Sequence, residues 1–325
     1  MFKNFFPLLA VLFLYSAVVS QKIDWDTVVF TSMAPAEPGC VLVAGHVEIY
    51  KNFFLKDCQT TQNLIFSNAG DALDIDFTGN RDGWLLYGLG MAPFRNGKTG
   101  EVPKIGNGEW RFVGLSFYDA ANGCTITSNG HVACTHDGGK MWVVTEVAAV
   151  EDVYSIAYVS KNVVWATVFS KENGSKTGCR KIIKSVDGGA KWSSAMNIRT
   201  CDLYLTGFVD DLNAWALRDN NQFLVTTDGG KKWVSVGTVP AEPDDVFFLT
   251  PRAGWAIADR NLYRTKDGGF SWKKIWTAQD HIYVDPKGLL FIDEVNGWLR
   301  GLDSLYRSND GGVTWTRVEY PINWQ

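Results

Sequence analysis

The 325-residue sequence is poor in proline and histidine and carries no excess of positive charge. It contains 10 Pro and 4 His, and its 31 Lys and Arg stand against 35 Asp and Glu, which gives a net charge of -4. Without a basic surplus, electrostatic binding to nucleic acid or to anionic lipid is not expected. After residue 20 no apolar run reaches the roughly 18 residues of a transmembrane helix, so the mature chain is predicted to have no membrane span.

The amino terminus has the features of a secretory signal peptide. Lys3 precedes an apolar stretch over 5–19, and the small residues Val18 and Ser20 suit a cleavage site before Gln21. We expect residues 1–20 to be removed and residues 21–325 to form one domain. The alternative is an uncleaved membrane anchor.

Cysteine is scarce, and the six cysteines lack the Cys-x-x-Cys spacing of a zinc site. In a secreted chain an even number of cysteines favours disulfide bonds. Pairing neighbours, one of several connectivities, predicts Cys40–Cys58, Cys124–Cys134 and Cys179–Cys201. No metal site and no cofactor are expected. Asn173 lies in the one Asn-x-Ser/Thr sequon and is a predicted glycosylation site.

Glycine and aromatic residues are abundant, and they recur in one motif. The frame Ser/Thr-x-Asp-Gly-Gly-x-x-Trp occurs at 135–142, 185–192, 226–233, 265–272 and 308–315. Its aspartates are Asp137, Asp187, Asp228, Asp267 and Asp310. A carboxylate accepts backbone N–H bonds in a tight turn, and glycine permits positive φ. Because one catalytic acid has no use for five copies, we interpret these aspartates as structural.

The motif belongs to a longer repeat of four short strands with a period of about 40 residues, which is typical of propellers. Degenerate copies upstream complete a set of seven units: 26–70, 71–111, 112–150, 151–200, 201–241, 242–280 and 281–320. The sequence therefore predicts an all-β, seven-bladed β-propeller of four-stranded antiparallel blades. The alternative is a six-bladed ring in which 71–150 form one expanded blade. Ring closure is expected to borrow a strand from 23–25 or 318–320.

The repeats resemble the Asp-box (BNR) repeats of sialidase-superfamily and sortilin-type propellers, and more closely those of photosystem II stability/assembly factor-like propellers. The segments AGWAIADRNLYRTKDGGFSW (253–272) and NGWLRGLDSLYRSNDGGVTW (296–315) carry the resemblance. It implies the propeller fold, whereas propellers host hydrolases, receptors and scaffolds alike.

Two features predict a binding face at one mouth of the channel. The loop 92–110 is the longest departure from the repeat and offers Phe94, Arg95 and Trp110. Acidic residues precede most of the innermost strands, among them Asp74, Asp152, Asp202, Asp245 and Asp285. They form a ring that would attract a cation or a basic peptide. The alternatives are a disordered loop and aspartates that merely begin strands.

These observations predict a secreted, non-enzymatic, monomeric propeller that binds a protein, peptide or glycan on one face. The alternative is a sialidase-like glycoside hydrolase, which requires three arginines or two carboxylates that converge in the channel. The arginines at repeat positions, Arg111, Arg218, Arg252 and Arg300, cannot be placed on one inner face from the sequence.

Overall fold

A computed structural model describes most of the repeat region. The described residues are 28–35, 39–47, 51–58, 62–67, 72–78, 82–87, 90–95, 98–106, 111–147, 152–170, 178–196, 201–278, 284–301 and 304–318. They form 28 strands in seven four-stranded antiparallel sheets and no helix. In this part of the chain, therefore, no helix is available that could cross a membrane. The predicted signal peptide, Asn173, Trp110 and residues 23–25 lie outside the described residues.

The seven sheets follow one another along the chain as blades 1 to 7. Blade 1 contains β1 (Val28–Pro35), β2 (Cys40–Val47), β3 (Lys51–Cys58) and β4 (Gln62–Ser67). Blade 2 contains β5 (Ala72–Phe77), β6 (Asp82–Tyr87), β7 (Gly90–Arg95) and β8 (Lys98–Thr99). Blade 3 contains β9 (Phe112–Phe117), β10 (Gly123–Thr127), β11 (His131–Thr135) and β12 (Val143–Glu146). Blade 4 contains β13 (Asp152–Ser160), β14 (Val163–Ser170), β15 (Cys179–Ser185) and β16 (Ser193–Ser194).

The remaining blades repeat the same order. Blade 5 contains β17 (Leu203–Phe208), β18 (Ala214–Arg218), β19 (Gln222–Thr226) and β20 (Val234–Thr238). Blade 6 contains β21 (Asp245–Phe248), β22 (Gly254–Ala258), β23 (Asn261–Thr265) and β24 (Lys273–Thr277). Blade 7 contains β25 (Val284–Phe291), β26 (Gly297–Gly301), β27 (Leu305–Ser308) and β28 (Thr316–Arg317). The seven-bladed prediction is confirmed, and the six-bladed alternative is wrong because 71–150 form two separate sheets.

The first strand of each blade is innermost, since most neighbouring blades meet along these strands. The second strand is the most buried, as in Gly254–Ala258 and Gly297–Gly301, where every residue is buried. Its tryptophan stacks on the phenylalanine that ends the inner strand of the next blade. These pairs are Trp84 with Phe117, Trp165 with Phe208 and Trp255 with Phe291. Aromatic stacking of this kind adds to the apolar burial that joins the blades.

The ring closes between blades 7 and 1 through side chains. Each of these two sheets is built from four consecutive strands of the described chain, so the predicted exchange of a terminal strand is not part of them. The fully buried Asp57 carboxylate instead accepts a hydrogen bond from Trp298 Nε1 at 2.7 Å. Arg307 Nη1 lies 3.4 Å from the other carboxylate oxygen and donates to Cys58 O. Met33, Val41 and Trp298 belong to one apolar cluster across this junction.

Three disulfide bonds occur in the structure, and they use the neighbouring pairs expected from the sequence. Cys40–Cys58 and Cys124–Cys134 each join facing positions of the second and third strands of one blade. Cys179–Cys201 joins the third strand of blade 4 to a residue just before blade 5. This last bridge therefore links two successive blades, whereas the sequence suggested a clamp within one hairpin.

The Asp-box turn is held by its first and third residues. In blade 6 the buried Thr265 Oγ1 donates to Asp267 Oδ1 at 2.8 Å and accepts the Gly269 amide at 2.9 Å. Asp267 Oδ1 also accepts the Ser271 amide at 2.9 Å. The four other boxes repeat this pattern. The carboxylates therefore hold the turn together through hydrogen bonds.

We expect the fold to lose stability in acid because these turns hold ionised aspartates. The Lys191 amide and then the Ser185 hydroxyl lower the pKa of Asp187, and the pKa of each of the other four box aspartates is also lowered. Groups with a depressed folded pKa contribute stability above their unfolded value of about 3.9, and this stability is lost as the pH falls through the folded pKa.

Urea midpoints measured from pH 7 to pH 2 should stay level to about pH 5 and then fall. The urea midpoint of the variant Asp187→Asn should fall less steeply below pH 4, because one of the titrating box carboxylates is absent. A stability maximum near pH 3 would contradict the structural role of the boxes.

Candidate functional site

Two of the predicted binding aspartates are buried between blades. Asp74 accepts hydrogen bonds from Ser32 Oγ of blade 1 at 3.3 Å and from the Leu115 amide of blade 3 at 3.4 Å. Asp245 accepts the Val246 amide and, from blade 7, the Leu289 amide, each at 2.9 Å. Both carboxylates thus accept hydrogen bonds from neighbouring inner strands, and ligand binding by them stays a prediction.

The other acidic positions differ among themselves. Asp152 Oδ1 accepts the Val153 amide at 2.8 Å. Asp202 receives both Nε and Nη2 of Arg218 at 2.8 Å on one oxygen. The side chain of Asp285 is outside the described residues, although its backbone belongs to β25. The acidic ring therefore stays a prediction for these three positions.

The predicted recognition loop is partly strand. Phe94 lies in β7, is 2% exposed and packs with Ala34, Ile75 and Leu85 between blades 1 and 2. Phe94 is therefore a core residue of a strand, and its part in binding stays a prediction. Arg95 donates to Gly83 O at 3.0 Å and lies near the ring of Trp84. The Arg95 guanidinium therefore makes contacts within its own blade.

A cavity of about 520 Å³ lies in the central channel. Inner strands of five blades form its wall, which includes Met33, Ser155, Leu205, Phe247 and Leu289. The wall is mostly apolar, and its volume and composition are those of small-molecule sites.

The polar groups of the cavity gather where blades 4 and 5 meet. Arg180 Nη1 donates to Leu203 O at 3.2 Å and to Tyr204 O, and its guanidinium lies 4.8 Å from the ring centre of Tyr154. Burial, followed by the nearby carboxylates of Glu242 and Asp244, raises the pKa of Tyr204. Tyr204 therefore stays neutral at physiological pH and presents a hydroxyl.

The described cavity wall does not contain a glycosidase arrangement. Its charged members in the described part of the chain are one arginine, Arg180, and one carboxylate, that of Asp245. The arginines considered from the sequence lie in different blades or connections: Arg111 before β9, Arg218 in β18, Arg252 after β21 and Arg300 in β26. A sialidase-like site would need three arginines on one carboxylate.

Arg180 and Tyr154 lie near the starts of β15 and β13, at one end of the ring. The turns between first and second strands and the Asp-box turns lie at the other end, and we call them together the box face. In blades 3 to 7 the amide of the first box glycine donates to the turn between strands 1 and 2. The distance from Gly229 N to Leu212 O, for example, is 2.9 Å. Carboxylates such as Asp210 and Asp293 close the first turns by accepting two amides each. The box face is therefore a set of rigid double turns.

Large apolar side chains project from these rigid turns. Seven of the twelve exposed large apolar residues in the described chain lie in these turns: Tyr118, Met141, Val186, Leu212, Phe270, Val295 and Val313. Two more, Val143 and Val234, begin the strands that follow a box. Phe270 is 64% exposed and Met141 is 69% exposed. Apolar residues concentrated on one face of a soluble domain mark interaction surfaces.

A groove of about 220 Å³ opens on the box face between blades 5 and 6. Its wall includes Pro251, Arg252 and Phe270 at the rim and Trp215 and Phe248 at the bottom. Aromatic and arginine side chains around a concave site are the usual composition of binding hot spots.

Neither Arg180 nor the exposed apolar residues of the box face were singled out from the sequence. A signal for the second group was present, because Met141, Phe270 and Val313 fill variable positions of the box turns, and Val186 fills another. Turn positions of this kind normally carry polar residues. Arg180 has no such signal, since only the ring geometry brings it to the neighbouring blade.

No family model and no curated protein matches the chain. Among solved structures it is similar to YCF48 from Cyanidioschyzon merolae, with a TM-score of 0.64 at 15% identity, over 87% of this chain and 96% of that one. It is also similar to YCF48 bound to D1 peptide, with a TM-score of 0.63 at 16% identity, over 87% of this chain and 94% of that one. The predicted resemblance to photosystem II assembly factor propellers is thereby confirmed at the level of the fold.

Proposed function

We propose that this protein is a secreted, non-enzymatic scaffold that binds a partner polypeptide through its box face. The observation that carries the proposal is the concentration of exposed apolar side chains on rigid turns of five successive blades. Rigid turns lose little conformational entropy on binding. Because the apolar residues are already exposed, no conformational change is needed to present them to a partner.

The groove between blades 5 and 6 is the proposed centre of the interface. Phe270 and Arg252 provide an apolar anchor and a cation at its rim, and the buried aromatic floor gives a concave surface. The solved neighbour described as bound to a D1 peptide supports the idea that a propeller of this shape accepts a peptide. Three disulfide bonds fit the oxidising compartment that a signal peptide over 1–20 implies.

The test compares a double variant of the groove with a single variant on the opposite face. The variant Phe270→Glu with Arg252→Glu changes the groove, whereas Val113→Glu changes an apolar side chain that is 41% exposed at the start of β9, on the opposite face. We expect the groove variant to capture at least about tenfold less of each partner from native secretion medium, because it removes the central anchor. The Val113→Glu protein should capture the parent's partners.

Equal capture by both variants, with melting temperatures matched to the parent, would refute the box face as the binding surface. Loss of capture with Val113→Glu alone would move the interface to the opposite mouth.

A further inference from the structure

The channel cavity combines an apolar wall with one fixed cation. The wall includes Met33, Val246, Leu289 and Leu290, which are all less than one tenth exposed, together with Phe247. A binding partner with a purely polar surface would leave these groups without apolar contacts. The cavity therefore favours a ligand with an apolar body.

The cation is positioned before any ligand arrives. Two backbone carbonyls of blade 5 hold Arg180 Nη1, and the Tyr154 ring supports the guanidinium from blade 4. Among the described residues, Nε and Nη2 of Arg180 have no acceptor, and no carboxylate lies within ion-pair distance. A guanidinium with two remaining donors matches a carboxylate in the bidentate geometry that arginine prefers.

The serine and threonine hydroxyls of the wall add little to this polar end. The Ser155 Oγ atom has almost no accessible surface, so a ligand in the cavity does not reach it. Thr167 and Thr206 also line the cavity, and their hydroxyls bond to each other at 2.5 Å. The one carboxylate of the wall, Asp245, already accepts two backbone amides.

We propose that the channel cavity is a binding site for a small amphipathic carboxylate, such as a medium-chain fatty acid. Its apolar chain lies along the cavity wall, and its carboxylate accepts hydrogen bonds from Arg180. Tyr154, which is 50% exposed, marks the side on which the cavity meets solvent. The cavity shares Trp215 and Phe248 with the wall of the box-face groove, whereas the ligand class differs from the polypeptide partner proposed for that face.

The experiment measures binding of decanoate to the parent protein by calorimetry, with three probes that separate the two parts of the ligand. Butyrate keeps the carboxylate with a shorter chain, decan-1-ol keeps the chain without the charge, and decylamine reverses the charge. We expect each to bind at least about tenfold more weakly than decanoate, since each loses chain burial or the pairing with Arg180.

Variants locate the site. Arg180→Met should weaken decanoate binding at least about tenfold. Arg180→Lys keeps the charge without the fork and should fall between parent and Arg180→Met. The control Arg218→Met removes an arginine of blade 5 that pairs with Asp202 and is not part of the cavity wall, so decanoate affinity should not change.

The proposal is overturned if decan-1-ol binds as tightly as decanoate, or if decylamine binds more tightly. It is also overturned if folded Arg180→Met retains the parent's affinity. Because none of these probes is a polypeptide, failure here leaves the box-face proposal to its own test.

Discussion

Replacing Asp57 by alanine is expected to lower the free energy of unfolding by about 3 kcal/mol, because it leaves Trp298 Nε1 without its acceptor and Arg307 without its counter-charge. The carboxylate is 0% exposed, and it holds Trp298 Nε1 at 2.7 Å and faces Arg307. Both partners come from blade 7, so this single side chain of blade 1 contributes to closure of the whole ring. Urea denaturation followed by tryptophan fluorescence measures the change.

A double-mutant cycle separates the junction from a general effect of the substitution. Asp57→Asn keeps an oxygen that can accept from Trp298, and it should cost less than Asp57→Ala. Trp298→Phe removes the N–H donor and keeps a ring. Asp57→Ala and Trp298→Phe should couple by about 1 kcal/mol or more, as contacting residues do. Additive losses, or an Asp57→Ala protein as stable as the parent, would show that closure does not depend on this bond.

The importance of Asp57 was not visible in the sequence, although the fold was. The five boxes and their period predicted seven blades, because each box is a local turn whose donors and acceptors lie within a few residues. Blade 1 has no box, and its Asp57 meets Trp298 across 241 positions of the chain. In blade 6 the corresponding indole of Trp255 donates to a carbonyl of a box turn, Gly311 O at 3.0 Å. A contact between first and last repeats follows only from ring closure.

The positions of two predicted binding residues have a similar explanation. Phe94 was assigned to the loop 92–110 because the second half of this repeat has lost the box. The structure nevertheless pairs Trp84 with Pro93 and continues β7 to Arg95. Asp74 was assigned to an acidic ring at the start of the inner strands, whereas its oxygens accept hydrogen bonds from residues about one repeat away, such as Leu115. Long-range burial between blades decided both positions, and no local pattern encodes it.

The two glycines of a box both need positive φ, but the second one also lacks space for a side chain. Gly188 and Gly189 both have positive φ, at 74° and 97°. A Cβ on Gly189 would overlap Cys134 Sγ, part of the buried Cys124–Cys134 bridge of blade 3. In the other boxes the second glycine meets the preceding blade in the same way, at Trp84, Ala195, Phe223 and Leu262. The second glycine is therefore the point where one blade rests on another.

We expect Gly189→Ala to lower the free energy of unfolding by about 3 kcal/mol or more, because backbone strain and overpacking against the disulfide add together. Gly39→Ala is the matched control: its φ is 79°, and no described residue lies within 4 Å of the added Cβ. It should cost about 1 kcal/mol through strain alone. Urea midpoints of the two variants and the parent measure the difference. If both alanines cost the same, positive φ would account for the whole requirement, and the contact between blades 3 and 4 would tolerate a methyl group.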